Sequence, residues 1–115
     1  MKNARIFYAD LQNARTVTVN APGNKQDLIA QLYEGLAPES EAGKNWDALD
    51  EVLRDLSWIG EKDIVLVHAG LDSLPAEDSV IYADLLAGAA AWWKNKRRHR
   101  LFIIAPGTMK DAFEA

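Results

Sequence analysis

Two short runs of uninterrupted apolar residues, Ile64-Val65-Leu66-Val67 and Leu101-Phe102-Ile103-Ile104, constrain this chain more than any other feature. Neither alternates with polar residues, so each reads as a strand buried on both faces. Between them, Glu77 to Trp93 has the length and composition of a long helix. A strand–helix–strand connection of this length makes the two strands parallel and the crossover right-handed. The expected inward residues of that helix are Val80, Ile81, Leu85, Ala89 and Trp92. The run Ala87-Gly88-Ala89-Ala90-Ala91 is small enough to let it approach a sheet closely.

The N-terminal half supplies the remaining elements. Arg5-Ile6-Phe7-Tyr8-Ala9 reads as a strand, and Thr16-Val17-Thr18-Val19 alternates with period two as another. A turn at Asn13 makes a hairpin between them possible. Ala21-Pro22-Gly23-Asn24 breaks the chain, and Asn24 is placed to cap a helix carrying Leu28, Ile29, Leu32 and Leu36 at helical spacing. Pro38 ends that helix. A second helix starts at the N-cap Asn45 and is expected to stop near Trp58-Ile59-Gly60, with Gly60 as its C-terminal cap. The order strand, helix, helix, strand, helix, strand is that of an α/β protein. We expect a small three-stranded parallel sheet packed by three or four helices, in one domain spanning residues 1–115. Its core covers about residues 4–106, and 107–115 form a tail that frays or makes a short turn.

Several function classes lack their chemistry. The 115 residues contain no cysteine, so disulfides, thiolate metal sites and thiol nucleophiles are excluded. No Gly-rich turn joins a strand to a helix for dinucleotide binding. His68 and His99 are too few and too separated for a metal site, and a lone His at a strand's end reads as a hydrogen-bonded structural residue. Ser57, Ser73 and Ser79 lack a nucleophile-elbow context. The expectation is therefore no enzyme, no cofactor and no metal. The first residues hold no apolar core followed by a small-residue cleavage site, and no apolar run approaches a membrane span. A cytoplasmic protein without membrane contact is expected.

Charge is unevenly distributed within a formal net charge of −4. Residues 39–84 carry twelve carboxylates against only Lys44, Arg54 and Lys62. Residues 94–100 carry Lys94, Lys96, Arg97, Arg98 and Arg100 with no acid. The negative field suits a basic partner and disfavours nucleic acid. The basic run reads as a helix C-terminus and turn, where cations complement the helix dipole, rather than as a phosphate-contacting patch. Of the adjacent Trp92 and Trp93, one should pack in the core.

The second helix is the candidate functional element. Trp46, Leu49, Leu53 and Leu56 form its apolar stripe, while Asp47, Asp50, Glu51 and Asp55 fall on the other side. Asp47–Glu51 and Glu51–Asp55 are like-charge pairs four residues apart, each costing about 0.2–0.5 kcal/mol. The helix dipole accounts for Asp47 and Asp50 but does not reach Asp55. Two readings fit, a solvated face or one that meets a cationic partner. Asp47 and Glu51 lack the enclosing pocket that acid–base catalysis or Mg²⁺ needs.

Residues 43–51, Gly-Lys-Asn-Trp-Asp-Ala-Leu-Asp-Glu, resemble the Gly-x-Asn-x-Asp-Ala-Leu-x-Asp/Glu segment of barstar-type ribonuclease inhibitors. The order of elements around the motif agrees over most of the chain. In that family the segment opens the second helix, whose acidic face plugs the active site of a secreted ribonuclease. The resemblance implies Gly43, Asn45, Asp47, Asp50, Glu51 and Asp55 as partner-binding residues, with Glu51 at the position of the family's principal acid. Glu51 is one methylene longer than the Asp of the best-known member, and Asp50 stands where that member has a tryptophan. Residues 38–42, Pro-Glu-Ser-Glu-Ala, replace the aromatic residues the family usually offers. The implied function is stoichiometric inhibition of a basic secreted or toxin-type ribonuclease, by a protein monomeric in the free state. The alternatives are an interaction module with a non-nuclease partner and, more remotely, a small nucleic-acid binder using residues 94–100.

Overall fold

A computed structural model describes residues 14–39 and 43–104. In chain order the elements are β1 (Ala14–Val19), α1 (Lys25–Leu36), α2 (Trp46–Asp55), β2 (Asp63–His68), α3 (Ala76–Lys94) and β3 (Arg100–Ile104). The strands form one sheet in the order β1-β2-β3, with both pairings parallel. This is the expected α/β architecture, with three strands and three helices among the described residues. The expected strand Arg5–Ala9, its hairpin and the C-terminal tail lie outside those residues. Thr16–Val19 belongs to β1, which pairs parallel with β2 and sets Val17 beside Leu66.

Burial follows strand position. Central β2 is buried at every residue but the half-buried Val67, as its unbroken apolar run requires. Edge strand β1 alternates, with Val17 and Val19 buried and Thr16 and Thr18 exposed. Strand β3 corrects the expectation of burial on both faces: it is the other edge of the sheet, and Leu101 to Ile104 are only half-buried. One core cluster joins Val17, Val19, Ile64 and Leu66 to apolar side chains of all three helices. Successive right-handed crossovers across adjacent strands place those helices on one face of the sheet.

Both expected N-caps form. The Asn24 side chain accepts from the Asp27 amide and the Asn45 side chain accepts from the Ala48 amide, each at 2.8 Å. Helix α2 ends at Asp55, earlier than expected, and Gly60 does not cap it. Leu56 takes the left-handed position instead, with φ 50° and ψ 25°. That conformation costs a non-glycine residue about 1–2 kcal/mol. Leu56 is fully buried, and burying a leucine contributes about 1.5–3 kcal/mol, enough to offset it.

Helix α3 corrects another expectation. Its buried residues are Tyr82, Leu86, Ala89 and Trp93. Val80, Ile81 and Trp92 are instead 69%, 41% and 40% exposed, and Leu85 is half-buried. The helix is apolar nearly all round, so periodicity could not set its phase. Hydrogen bonding set it: the Tyr82 hydroxyl meets His68 Nε2 at 2.7 Å, and the Trp93 indole donates to the Leu53 carbonyl at 2.7 Å. Within the small-residue run, Ala89 packs fully buried in the core while Gly88 points elsewhere. It faces α2, where an added Cβ would lie 3.1 Å from an Arg54 guanidinium nitrogen.

A close helix–sheet approach also occurs at Gly35 on α1. A Cβ there would lie 2.5 and 2.9 Å from the two methyl groups of buried Val17. Gly35→Ala should therefore lower stability. Overpacking of about 1–3 kcal/mol outweighs the roughly 1 kcal/mol that Ala gains over Gly in a helix. Chemical denaturation should find a smaller cost in a Val17→Ala background; equal costs would place the strain elsewhere.

His68 is the hydrogen-bonded structural residue expected at the end of β2. Its Nδ1 lies 3.0 Å from the Ile104 carbonyl, to which it must donate, so Nε2 accepts from Tyr82 in the neutral ring. Burial lowers the His68 pKa below its ordinary value, and the bond to Ile104 opposes the shift only partly. The same burial raises the pKa of the Tyr82 hydroxyl. As pH falls through His68's unfolded value of 6.5, the unfolded chain takes up a proton that the folded chain refuses. Stability is thus full above that pH and declines below it, with a limiting slope of about 1.4 kcal/mol per pH unit. Urea titrations between about pH 7.5 and 5.5 should give a flatter profile for His68→Phe than for the parent, though from a lower plateau. Parallel profiles would remove His68 as the cause.

Candidate functional site on helix α2

The sequence dictates two opposed faces on α2, and packing decides what each contacts. Leu49, Val52 and Leu53 enter the core, joined by Leu56 just past the helix end. Trp46 is half-buried, stacked on Tyr82 with ring centroids 6.3 Å apart, and the Lys25 ammonium lies over the Trp46 ring, 5.9 Å from its centroid. This anchoring turns Asp47, Glu51 and Asp55 outward, where all three are exposed.

The N-terminal end of the site is held from α1, whose Tyr33 hydroxyl donates to the Gly43 carbonyl at 2.9 Å. Gly43 is exposed, and a Cβ there would come within 3.0 Å of the Asn45 side-chain amide. A glycine thus leaves the cap uncrowded. Asn45 itself is committed to capping, so its contribution to a site is to fix where the helix begins.

The acids divide into two groups. Glu51 and Asp55 line one shallow groove of about 160 Å³, together with Pro38, Glu39 and Trp58. Asp47 lies one turn before Glu51 on the same ridge. Asp50 turns the other way, toward α3, and binds Arg54 at 3.0 Å; both side chains are half-buried to exposed. The Arg54 guanidinium also lies 5.6 Å from the Trp92 ring centroid. Asp50 is therefore largely compensated, whereas no ion pair among the described residues engages Asp47, Glu51 or Asp55. Asp63, one of the twelve acids in the sequence count, is also withdrawn from the field. It is 1% exposed and accepts both arms of Arg100, at 2.7 and 2.9 Å.

Sequence reasoning missed Glu39, Pro38 and Trp58. Trp58 is fixed by its indole, which donates to the Leu36 carbonyl at 2.7 Å, so an aromatic wall stands beside Glu51 and Asp55. Nothing local marks this, because the wall joins the segments after α1 and α2. Residues 40–42 lie outside the described residues.

The arrangement offers exposed carboxylates on a helix face beside a shallow groove. Among the described residues, no three His, Cys, Asp or Glu side chains gather to hold a metal ion. No described helix is long and apolar enough to cross a membrane. What the face can do is meet complementary charge on another molecule.

The family model described as Barstar (barnase inhibitor) matches residues 12–105, most of the chain and all of α2. No curated protein and no solved structure matches the chain significantly.

Proposed function

The chain belongs to the barstar (barnase inhibitor) family, and from that premise we propose that it inhibits a basic, barnase-type ribonuclease by occupying its phosphate-binding site with α2. The family consists of inhibitors, not enzymes, and the chain is accordingly not an enzyme. The observation that carries the proposed mechanism is the exposed pair Glu51 and Asp55, without an ion-pair partner among the described residues, beside the Trp58 wall. A ribonuclease gathers Lys, Arg and His to hold RNA phosphates, and these carboxylates offer anionic oxygens in their place.

Glu51 is the central phosphate mimic and Asp47 its neighbour. Asp55 and Glu39 extend the negative surface, and Asp50, paired with Arg54, shapes the field at its flank. Asn45 and Gly43 set the start of the helix. Trp58 supplies an apolar face next to the acids where residues 38–42 bring no aromatic. The biological role this fits is protection of a producing cell from its own nuclease, or of a neighbour from a delivered one, by a cytoplasmic protein that is monomeric when free. The absence of aromatics in residues 38–42 favours one other reading, an interaction module whose cationic partner is not a nuclease.

Titration of a barnase-type ribonuclease with the purified protein should abolish RNA cleavage near one equivalent. The association rate should fall steeply with added salt, since charges farther apart than about 10 Å are screened at 0.1 M. The dissociation rate should change much less, because desolvated contacts are poorly screened. A panel of basic ribonucleases left fully active at micromolar protein would overturn the inhibitor reading and leave the module.

A further inference from the structure

A second groove lies between the C-terminal turn of α3 and the start of β3. Its volume is about 530 Å³, and Lys62, Lys94, Lys96, Arg97 and Arg100 line it with no carboxylate among the described lining residues. We propose that this groove binds a compact anion carrying two or more linked phosphoryl groups, such as a nucleoside triphosphate or inorganic tripolyphosphate.

The groove is built rather than merely charged. Arg100 is held at its mouth by both oxygens of the buried Asp63. The Lys62 ammonium donates to the Arg97 carbonyl, tying the strand side to the turn after α3. Trp93 at the back is locked by its bond to the Leu53 carbonyl and stands edge-on to the His99 ring at 5.3 Å. Lys96 lies over the Trp92 ring, 3.8 Å from its centroid. Lys94 and Arg97 are exposed and have no carboxylate partner among the described residues. Two uncommitted cations, framed by three held ones, suit adjacent phosphoryl groups, and guanidinium geometry matches phosphate oxygens.

Size and surroundings favour a compact ligand over a polymer. The volume falls within the range of small-molecule sites, roughly 300–1,000 Å³. Nucleic-acid footprints continue as basic stripes, but here Glu61 adjoins Lys62 and the charged residues of 39–84 are twelve acids against three bases. A strand leaving the groove meets that negative field, whereas a compact anion stays among the cations.

Calorimetric titration at low salt, with ATP and with tripolyphosphate in separate arms, tests this. Both should bind one-to-one and raise the melting temperature. Equal affinities assign recognition to the phosphates alone, and tighter ATP binding adds a contact from the nucleoside. The double change Lys94→Gln/Arg97→Gln should weaken binding by about tenfold or more, as loss of charge-assisted hydrogen bonds requires. Arg97→Gln alone should fall between. Arg98→Gln removes one charge from the same run but lies outside the lining, and should change affinity less than twofold. The proposal is overturned if Arg98→Gln weakens binding as much as Arg97→Gln, if neither phosphate binds at millimolar concentration, or if a single-stranded RNA oligonucleotide displaces tripolyphosphate at lower phosphate concentration.

Discussion

Glu51→Ala should weaken the complex with a barnase-type ribonuclease by about 2–5 kcal/mol, the cost of removing one partner from a buried, hydrogen-bonded charge pair. The same variant should melt at the parent's temperature or slightly above it. Glu51 is exposed in the free protein and lies four residues from both Asp47 and Asp55, so its removal relieves two like-charge contacts. Asp47→Ala should follow the same pattern with a smaller loss of binding. Asp50→Ala should cost less binding again, because its carboxylate is already compensated by Arg54. Stopped-flow association and dissociation rates, read beside thermal melts, separate these outcomes. A Glu51→Ala protein that failed to fold would make the residue structural and remove it from the site.

Leu53→Ala should show the opposite profile, losing about 2–5 kcal/mol of folding stability by cavity formation. Leu53 is fully buried between α2 and the rest of the core, and its carbonyl receives the Trp93 indole. The loss should appear as a lower denaturant midpoint with little change in slope. At temperatures where the variant remains folded, nuclease affinity should stay near the parent's, since no Leu53 side-chain atom reaches the acidic face. A loss of affinity without a loss of stability would mean that α2 is read through its packing rather than through its charges.

The two predictions differ because one helix carries two kinds of information. Its leucine spacing and its acids follow a 3.6-residue repeat, which any reader of the sequence can see. Its N-cap is equally local: Asn45 reaches an amide three residues on, as Asn24 does in α1. Its C-terminal end was not legible. Gly60 was the conformationally cheaper stop, but Leu56 accepts a left-handed backbone in return for burial, which depends on neighbours far along the chain.

Local pattern determined the buried strand at 64–67, the existence though not the burial of the strand at 101–104, the α/β order, both N-caps, and an acidic helix face opposite a leucine stripe. Each rests on contacts within a few residues or on the hydropathy of one segment. Tertiary structure alone decided the phase of α3, where nearly uniform apolarity left Tyr82 and Trp93 to find partners on β2 and α2. It also decided which acids remain available. Asp50 has Arg54 one turn away, visible as a possible pair, but Asp63 is neutralised by Arg100, 37 residues later. The Trp58 wall beside Glu51 likewise exists only because its indole reaches Leu36, 22 residues earlier. Periodicity reports which face of an element is apolar; only packing fixes which distant polar group that face, and each charge on it, will meet.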